Sequence, residues 1–255
     1  MVVAMACTEN WYHYLAVNIY SLLKTTKEVQ KIYLLLETDN INDIPELKKV
    51  VEKYPVELKI INFNNIFDSL VEKRNVNRNT IFSNFTFARL ALPSIVEENK
   101  ILYIDTDAIV LKNIYNMWRI DIEKYYLAGC KDIRAFDYGV KKRINIEEKY
   151  VNAGIIIMNL KKMREDNIQK KCFNIINEKK LLFPDQDALN IVCQDKILYI
   201  PSMYNFAPGT TSNVICREQI RIIHYTDYKK YWLVDKPYSE LWYDVEEKFY
   251  DEFGI

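Results

Sequence analysis

Two carboxylates one residue apart, Asp105 and Asp107, interrupt the apolar run ILYIDTDAIVLKNI at residues 101–114. A buried, unpaired carboxylate protonates rather than stay charged. The pair therefore lies in water at the mouth of a sheet, or faces something positive. Asp-Thr-Asp, with Thr106 between the acids, suits a hard divalent cation, because both carboxylates offer oxygens. The same pattern also serves as loop acids capping the next helix. RIIHYTDYKKYW (221–232) brings His224 to the end of an apolar strand, followed by Lys229, Lys230 and Trp232. A lone histidine there is usually structural. Beside the aspartates, a neutral imidazole would complete an O,O,N metal set, and the lysines would meet phosphate oxygens.

Other stretches carry weaker signals. FPDQDALN places Asp185, Gln186 and Asp187 around a helix start, where acids suit the positive end of the dipole. FTFARLALP sets Arg89 in an otherwise apolar helix, where it snorkels or pairs with an anion. In YVNAGIIIMNL, the small Ala153 and Gly154 permit close approach within a buried strand. In TENWYHY, Trp11 or Tyr12 is either core or a stacking surface for a base.

The elements that must hold these residues alternate along the chain. VVAMAC (2–7), KIYLLLE (31–37), VELKIINF (56–63) and 100–104 read as strands, and 11–25, 44–54 and 85–96 as helices, the last only up to its proline. Apolar strands joined by helices predict a mostly parallel sheet covered on both faces. The Asn-rich segment 64–83 reads as a loop or lid. Later, 125–130, 151–160, 196–206 and 221–227 read as strands, and 161–179 and 185–193 as helices. Ligands gather at the carboxyl ends of parallel strands. That favours exposure of Asp105 and Asp107 over burial. With no repeat or linker, one domain over 1–255 is expected.

Composition excludes several classes. The 35 acidic and 35 basic residues balance, which argues against a nucleic-acid binder working through its overall field. The longest apolar runs are too short to span a bilayer, and the amino terminus has no basic region of a secretory signal. Any membrane attachment would be peripheral and need a partner. Five cysteines without CxxC spacing fit reduced thiols in a cytoplasmic protein. Haloacid-dehalogenase-like phosphatases also carry Asp-x-Asp after an apolar strand. They usually open the domain with it, and need a later lysine and an acidic pair; here three strands come first.

The order of the blocks is more specific than any one of them. ACTENWYHYL, FTFARLALP, KILYIDTDAIVLKNI, YVNAGIIIMNLKKMR, FPDQDALN, YNFAP and IIHYTDYKKYW together resemble glycosyltransferase family 8 over about residues 1–242. That family includes bacterial lipopolysaccharide galactosyl- and glucosyltransferases and glycogenin. The resemblance implies an α/β chain with the GT-A (nucleotide-diphospho-sugar transferase) fold, a single Rossmann-like domain with a mixed central sheet. It implies retaining transfer of a hexose from a UDP-sugar to a carbohydrate acceptor, with Mn2+ or Mg2+. By that resemblance Asp105 and Asp107 are the metal ligands of the DxD motif, with Thr106 between them, and His224 is the third ligand. Ala6, Thr8 and Asn10 lie near ribose and uracil, and Trp11 stacks on the base. Arg89 meets donor sugar and phosphate, and Lys230 the diphosphate. Asn152, Ala153, Asp185 and Gln186 contact the donor sugar. Two positions depart from the family: Thr8 replaces an Asp of the bacterial galactosyltransferases, and Asp227 stands where Gly is frequent.

A cation offsets charge on the departing UDP, and Arg89 and Lys230 add to that. Retention needs a covalent intermediate or attack from the face UDP leaves. Gln186 sits where a nucleophile is wanted, and an amide is a poor one. Same-face attack is favoured, with Asp187 as the alternative nucleophile. A member that binds UDP-sugar without transfer is the competing reading, against which the intact Asp105, Asp107, His224 and Lys230 set speaks.

Overall fold

The computed structural model describes residues 1–70, 83–133, 135, 139–140, 144, 146, 150–208, 215–227, 230 and 237–255. Strands β1 (Val2–Ala6), β2 (Lys31–Leu36) and β3 (Glu57–Asn62) pair in parallel and march outward in that order. Helices α1 (Tyr12–Thr25) and α2 (Pro45–Lys53) make the crossovers. The chain then reverses side. β4 (Lys100–Ile104) lies parallel to β1 on its other edge. Beyond it come β7 (Val151–Asn159), antiparallel to both neighbours, then β6 (Leu127–Lys131) and β8 (Ile197–Tyr199). The sheet order is β3-β2-β1-β4-β7-β6-β8. A second sheet pairs β5 (Ala108–Val110) with β9 (Ile222–His224), antiparallel.

Both faces of the large sheet are buried, as continuous apolar strands require. Side chains alternate between two cores. Val3, Met5, Leu102 and Ile104 enter one, with α1 and the β5–β9 ribbon; Ala4, Ala6, Ile101 and Tyr103 enter the other. The second core is covered by α4 (Ala88–Ile95), α6 (Leu160–Glu165), α7 (Ile168–Glu178) and α8 (Pro184–Cys193). A short α5 (Tyr115–Trp118) follows β5.

Several expectations need correcting. The segment expected as a loop from 64 begins with helix α3 (Phe63–Leu70), whose Phe63 meets Phe85 at 5.3 Å. Its Phe63, Ile66, Phe67 spacing is helical, and the asparagines obscured it; residues 71–82 lie outside the described set. α4 runs two residues past Pro93, because the ring removes one donor while Val96 still donates to the Leu92 carbonyl at 3.1 Å. The helix expected over 161–179 is two helices, parted at Asn167, whose φ of 54° is tolerated by its short polar side chain. The strand expected over 196–206 is only Ile197–Tyr199, since Pro201 cannot donate to a ladder and a 3-10 turn follows at Ser202–Tyr204.

The sequence reading also missed α9 (Ser239–Phe253). Its Trp242 and Phe249 are fully buried against α1, with Tyr14 to Trp242 at 5.7 Å and Tyr20 to Phe249 at 5.6 Å between ring centres. Lys24, Lys53, Tyr20 and Tyr54 converge on its Glu252. No helix among the described residues is long and apolar enough to cross a membrane.

Candidate active site

The chain changes direction across the sheet between β1 and β4, the switch point at which open α/β sheets form their ligand crevice, outside the carboxyl ends of the strands. The two strands pair only at Val3 with Leu102 and Ala4 with Tyr103. Beyond that the Ala6 carbonyl is free of the ladder and accepts from the Thr106 hydroxyl at 3.2 Å. Asp105 follows directly on β4; its amide donates to the Gly154 carbonyl at 2.7 Å, and its own carbonyl accepts from Asn18 Nδ2 at 3.0 Å. His224 arrives from the other sheet, opposite Ala108, and the Tyr225 amide donates to the Asp107 carbonyl at 2.9 Å. Backbone pairing from two sheets thus sets all three side chains.

Asp105, Asp107 and His224 offer one ligand atom each, all within 4.8 Å of one another. His224 Nε2 stands 3.0 Å from Asp107 Oδ1 and 3.8 Å from Asp105 Oδ2. Gly154 makes this approach feasible. A Cβ there would sit 2.2 Å from His224 Cε1 and 2.6 Å from Asp105 Oδ2. Two carboxylate oxygens and an imidazole nitrogen at such spacing fit a divalent cation.

Positive side chains flank the acids. Arg89, 6% exposed, donates from Nη2 to Asp105 Oδ1 at 2.7 Å, has Nε 3.0 Å from Asp185 Oδ2, and lies over the Tyr103 ring at 4.6 Å. Burial opposes its charge, but Asp105 first, with Tyr103 and Asp185, overturns that and raises its pKa. Lys230 donates to Asp107 Oδ2 at 2.5 Å and to the Tyr225 carbonyl at 2.9 Å. The two acids are driven apart. Burial pushes Asp105 above the usual carboxylate range despite Arg89. Burial acts on Asp107 too, but Lys230 and then His224 hold it far below that range. Neither acid is buried naked, which resolves the interruption of the apolar run.

A second wall comes from β7 and α8. Gln186 Oε1 accepts from the Ala153 amide at 2.9 Å, and its Nε2 donates to Asp132 Oδ2 at 3.1 Å and to the Tyr150 hydroxyl at 3.2 Å. Asn152 Nδ2 also donates to Asp132 Oδ2, at 3.0 Å. Asp185 Oδ1 accepts from Thr86 at 3.1 Å. Asp187 has no exposed surface; one oxygen accepts from Tyr150 at 2.5 Å, the other from the Leu182 and Phe183 amides at 3.0 and 3.1 Å. Burial nevertheless raises its pKa, those three donors offsetting only part of the effect.

Along the first block, Thr8 is half-buried and Asn10 exposed. Trp11 is half-buried in a 3-10 turn at Glu9–Trp11, with Tyr14 at 5.3 Å and Lys230 Nζ 5.6 Å from its ring. Asp227 is half-buried just past β9. Lys229 and Trp232 lie outside the described residues. Sequence reasoning missed Asp132, Tyr150 and Asn205. Asn205 stood within a quoted block, YNFAP, whereas nothing around Asp132 set it apart from a surface acid.

The family model "Glycosyl transferase family 8" matches residues 2–236. A candidate glycosyltransferase of Haemophilus influenzae is 31% identical over 236 residues, 86% of this chain and 69% of its own. The lipopolysaccharide 1,2-glucosyltransferase of Escherichia coli is 22% identical, over 90% of this chain and 72% of its own. Among solved structures, the galactosyltransferase LgtC, in complex with donor and acceptor sugar analogs, superposes with a TM-score of 0.76 at 22% identity, covering 97% of this chain and 96% of that one. The likeness in structure gives the GT-A fold; the match over nearly the whole sequence gives more. This chain belongs to glycosyl transferase family 8.

Proposed function

We propose that this glycosyltransferase moves a hexose, galactose or glucose, from a UDP-sugar to a carbohydrate acceptor with retention of configuration, with a divalent cation held by Asp105, Asp107 and His224. The observation that carries the reading is their convergence to within 4.8 Å at the crevice between β1 and β4, with Arg89 and Lys230 beside them. The cation, Mn2+ or Mg2+, supplies Lewis-acid stabilisation of the departing diphosphate.

The chain's own residues do the rest. Ala6, Thr8 and Asn10 line the start of the crevice for ribose and uracil, and Trp11 offers the base a stacking face. Arg89 and Lys230 are preorganised positive charges for the diphosphate. Lys230 already lies 5.6 Å from the Trp11 ring, which ties the base position to the phosphate position. Asn152 and Gln186 present amides to the sugar, oriented by their shared acceptor Asp132. Ala153 and Asp185 act through them and through Arg89.

Two features support same-face attack over a covalent intermediate. Asp187 is enclosed, with both oxygens committed, so we assign it to anchoring α8. Gln186 is an amide and a poor nucleophile. In same-face attack the acceptor hydroxyl forms the new bond on the side UDP leaves, and its proton goes to the departing phosphate oxygen.

A screen of UDP-sugars for UDP release, with Mn2+ and with excess EDTA, tests the proposal. Release from one UDP-hexose that EDTA abolishes is expected. Full release in verified absence of metal overturns the cation assignment. UDP-hexose binding without release, in the presence of acceptor candidates, favours the binding-only reading.

A further inference from the structure

His224 is held by something beyond its own strand. Phe206 forms a parallel bridge with Ile223, its amide donating to the Ile222 carbonyl at 3.0 Å and its carbonyl accepting from the His224 amide at 2.9 Å. That bridge brings the preceding residue, Asn205, against the imidazole: Asn205 Oδ1 lies 3.0 Å from His224 Nδ1. Asn205 is 5% exposed. On its other side, Asn205 Nδ2 donates to Asn152 Oδ1 at 2.9 Å.

The direction of every bond in this chain follows from its far end. The Gly154 backbone amide can only donate, and it donates to Asn152 Oδ1 at 3.0 Å. Asp132 Oδ2, opposite the Asn152 amide nitrogen at 3.0 Å, accepts. Asn152 is thereby fixed at both ends. Its oxygen faces Asn205, so Asn205 must turn its NH2 toward it and its carbonyl toward His224. His224 Nδ1 must then carry the hydrogen. That leaves Nε2 as the atom turned to Asp105 and Asp107, the tautomer a cation requires.

We infer that Asn205 is a positioning residue that sets the ligating tautomer of His224 and locks it to the Asn152–Asp132–Gln186 wall, so that cation site and sugar wall are built as one unit. The inference rests on the cation and donor reading proposed above. Partners of a ligating histidine's second nitrogen tune metal affinity by about 10–100-fold. A single amide bridging such a histidine to the opposite wall also makes the wall's shape depend on it.

The two ends of Asn205 can be tested separately. Asn205→Ala removes both bonds. Asn205→Asp keeps an acceptor for His224 Nδ1 but offers Asn152 Oδ1 a second acceptor in place of a donor. Mn2+ affinity is read from the free-ion spin-resonance signal, with no nucleotide present. UDP, UDP-glucose and UDP-galactose are then compared by calorimetry at saturating Mn2+, with melting curves confirming the fold of each variant. Asn205→Ala should weaken Mn2+ binding about tenfold or more, and Asn205→Asp should restore it. Asn205→Asp should still lower the affinity for the preferred UDP-hexose relative to UDP, by about three- to tenfold, the worth of one misplaced hydrogen bond. Unchanged Mn2+ affinity in folded Asn205→Ala overturns the tautomer role. An unchanged UDP-hexose to UDP ratio in Asn205→Asp overturns the coupling. Absence of Mn2+ binding in the wild type overturns the cation reading itself, and the relay with it.

Discussion

The chain has two histidines, and they make opposite use of the same ring. His13, on α1, has a carboxylate at each nitrogen: Glu46 of α2 at 2.8 Å from Nδ1 and Glu246 of α9 at 2.9 Å from Nε2. Tyr250 stacks on it at 5.7 Å with rings 16° apart. Glu246 raises its pKa most, burial opposes, and Glu46 adds to the rise. His224 has a neutral amide on Nδ1 and two acids near Nε2. The difference lies in where the carboxylates stand. Around His13 they sit on opposite edges of the ring, where no single ion reaches both, so the ring's own proton serves as the cation. Around His224 they share one edge, and that edge can take an ion. Among the described residues, the His224 cluster is the group with metal-ligand spacing.

Asp107→Asn breaks the contrast most severely. UDP release should fall at least about a hundredfold, since several kcal/mol of charge stabilisation is withdrawn at a tenfold loss per 1.4 kcal/mol. His13→Gln should leave the rate within about twofold. If steady-state rates rank the two variants the other way, the assignment of roles is inverted. Gly154→Ala tests whether the shared edge depends on a missing methyl. The clash with His224 and Asp105 should lower stability by about 1–3 kcal/mol and displace the ligands, as denaturant curves and Mn2+ titration would register.

Trp11 lies two residues before His13, and its ring has Lys230 Nζ at 5.6 Å. Trp11→Ala should weaken UDP binding by about 1–3 kcal/mol in calorimetry, the range for base stacking. A stability loss of about 3–5 kcal/mol with UDP affinity intact would instead mark a core tryptophan. The smallest effect concerns pH. Because the folded pKa of His13 is raised above its ordinary 6.5, its stabilisation is complete below that value and fades as pH rises through the folded pKa. Urea unfolding should show stability falling as pH rises through this range in the wild type, a small effect because solvent screens the half-exposed ring, and its loss in His13→Gln.

The strands of the large sheet were legible because apolar runs bounded by polar turns leave little choice of element, as KIYLLL and VNAGIII illustrate. Asp105, Asp107 and His224 were legible as ligand types, and their convergence only through family likeness, since β5–β9 pairing joins residues more than a hundred positions apart. Asp132 was not legible. Its role comes from an irregular β6–β7 register that turns it toward Asn152, and no local pattern encodes register. α9 was missed although Leu241, Trp242, Val245 and Phe249 carry helical spacing, because abundant acids and aromatics gave it no sharp apolar stripe.

The seating of α9 on α1 also has a consequence in time. The ribosome completes α1 at Thr25 and reaches Ser239 more than two hundred residues later. At about 5–20 residues per second, Tyr14 and Tyr20 wait more than about ten seconds for the rings of Trp242 and Phe249. During that interval β1 also lacks β4, its partner on the crevice side, which is made about seventy-five residues after α1 ends. The nascent chain therefore carries a bare aromatic seam beside an open strand edge, a surface that chaperones grip and neighbouring chains adhere to. β4 closes the strand edge first, and α9 closes the aromatic seam only after that.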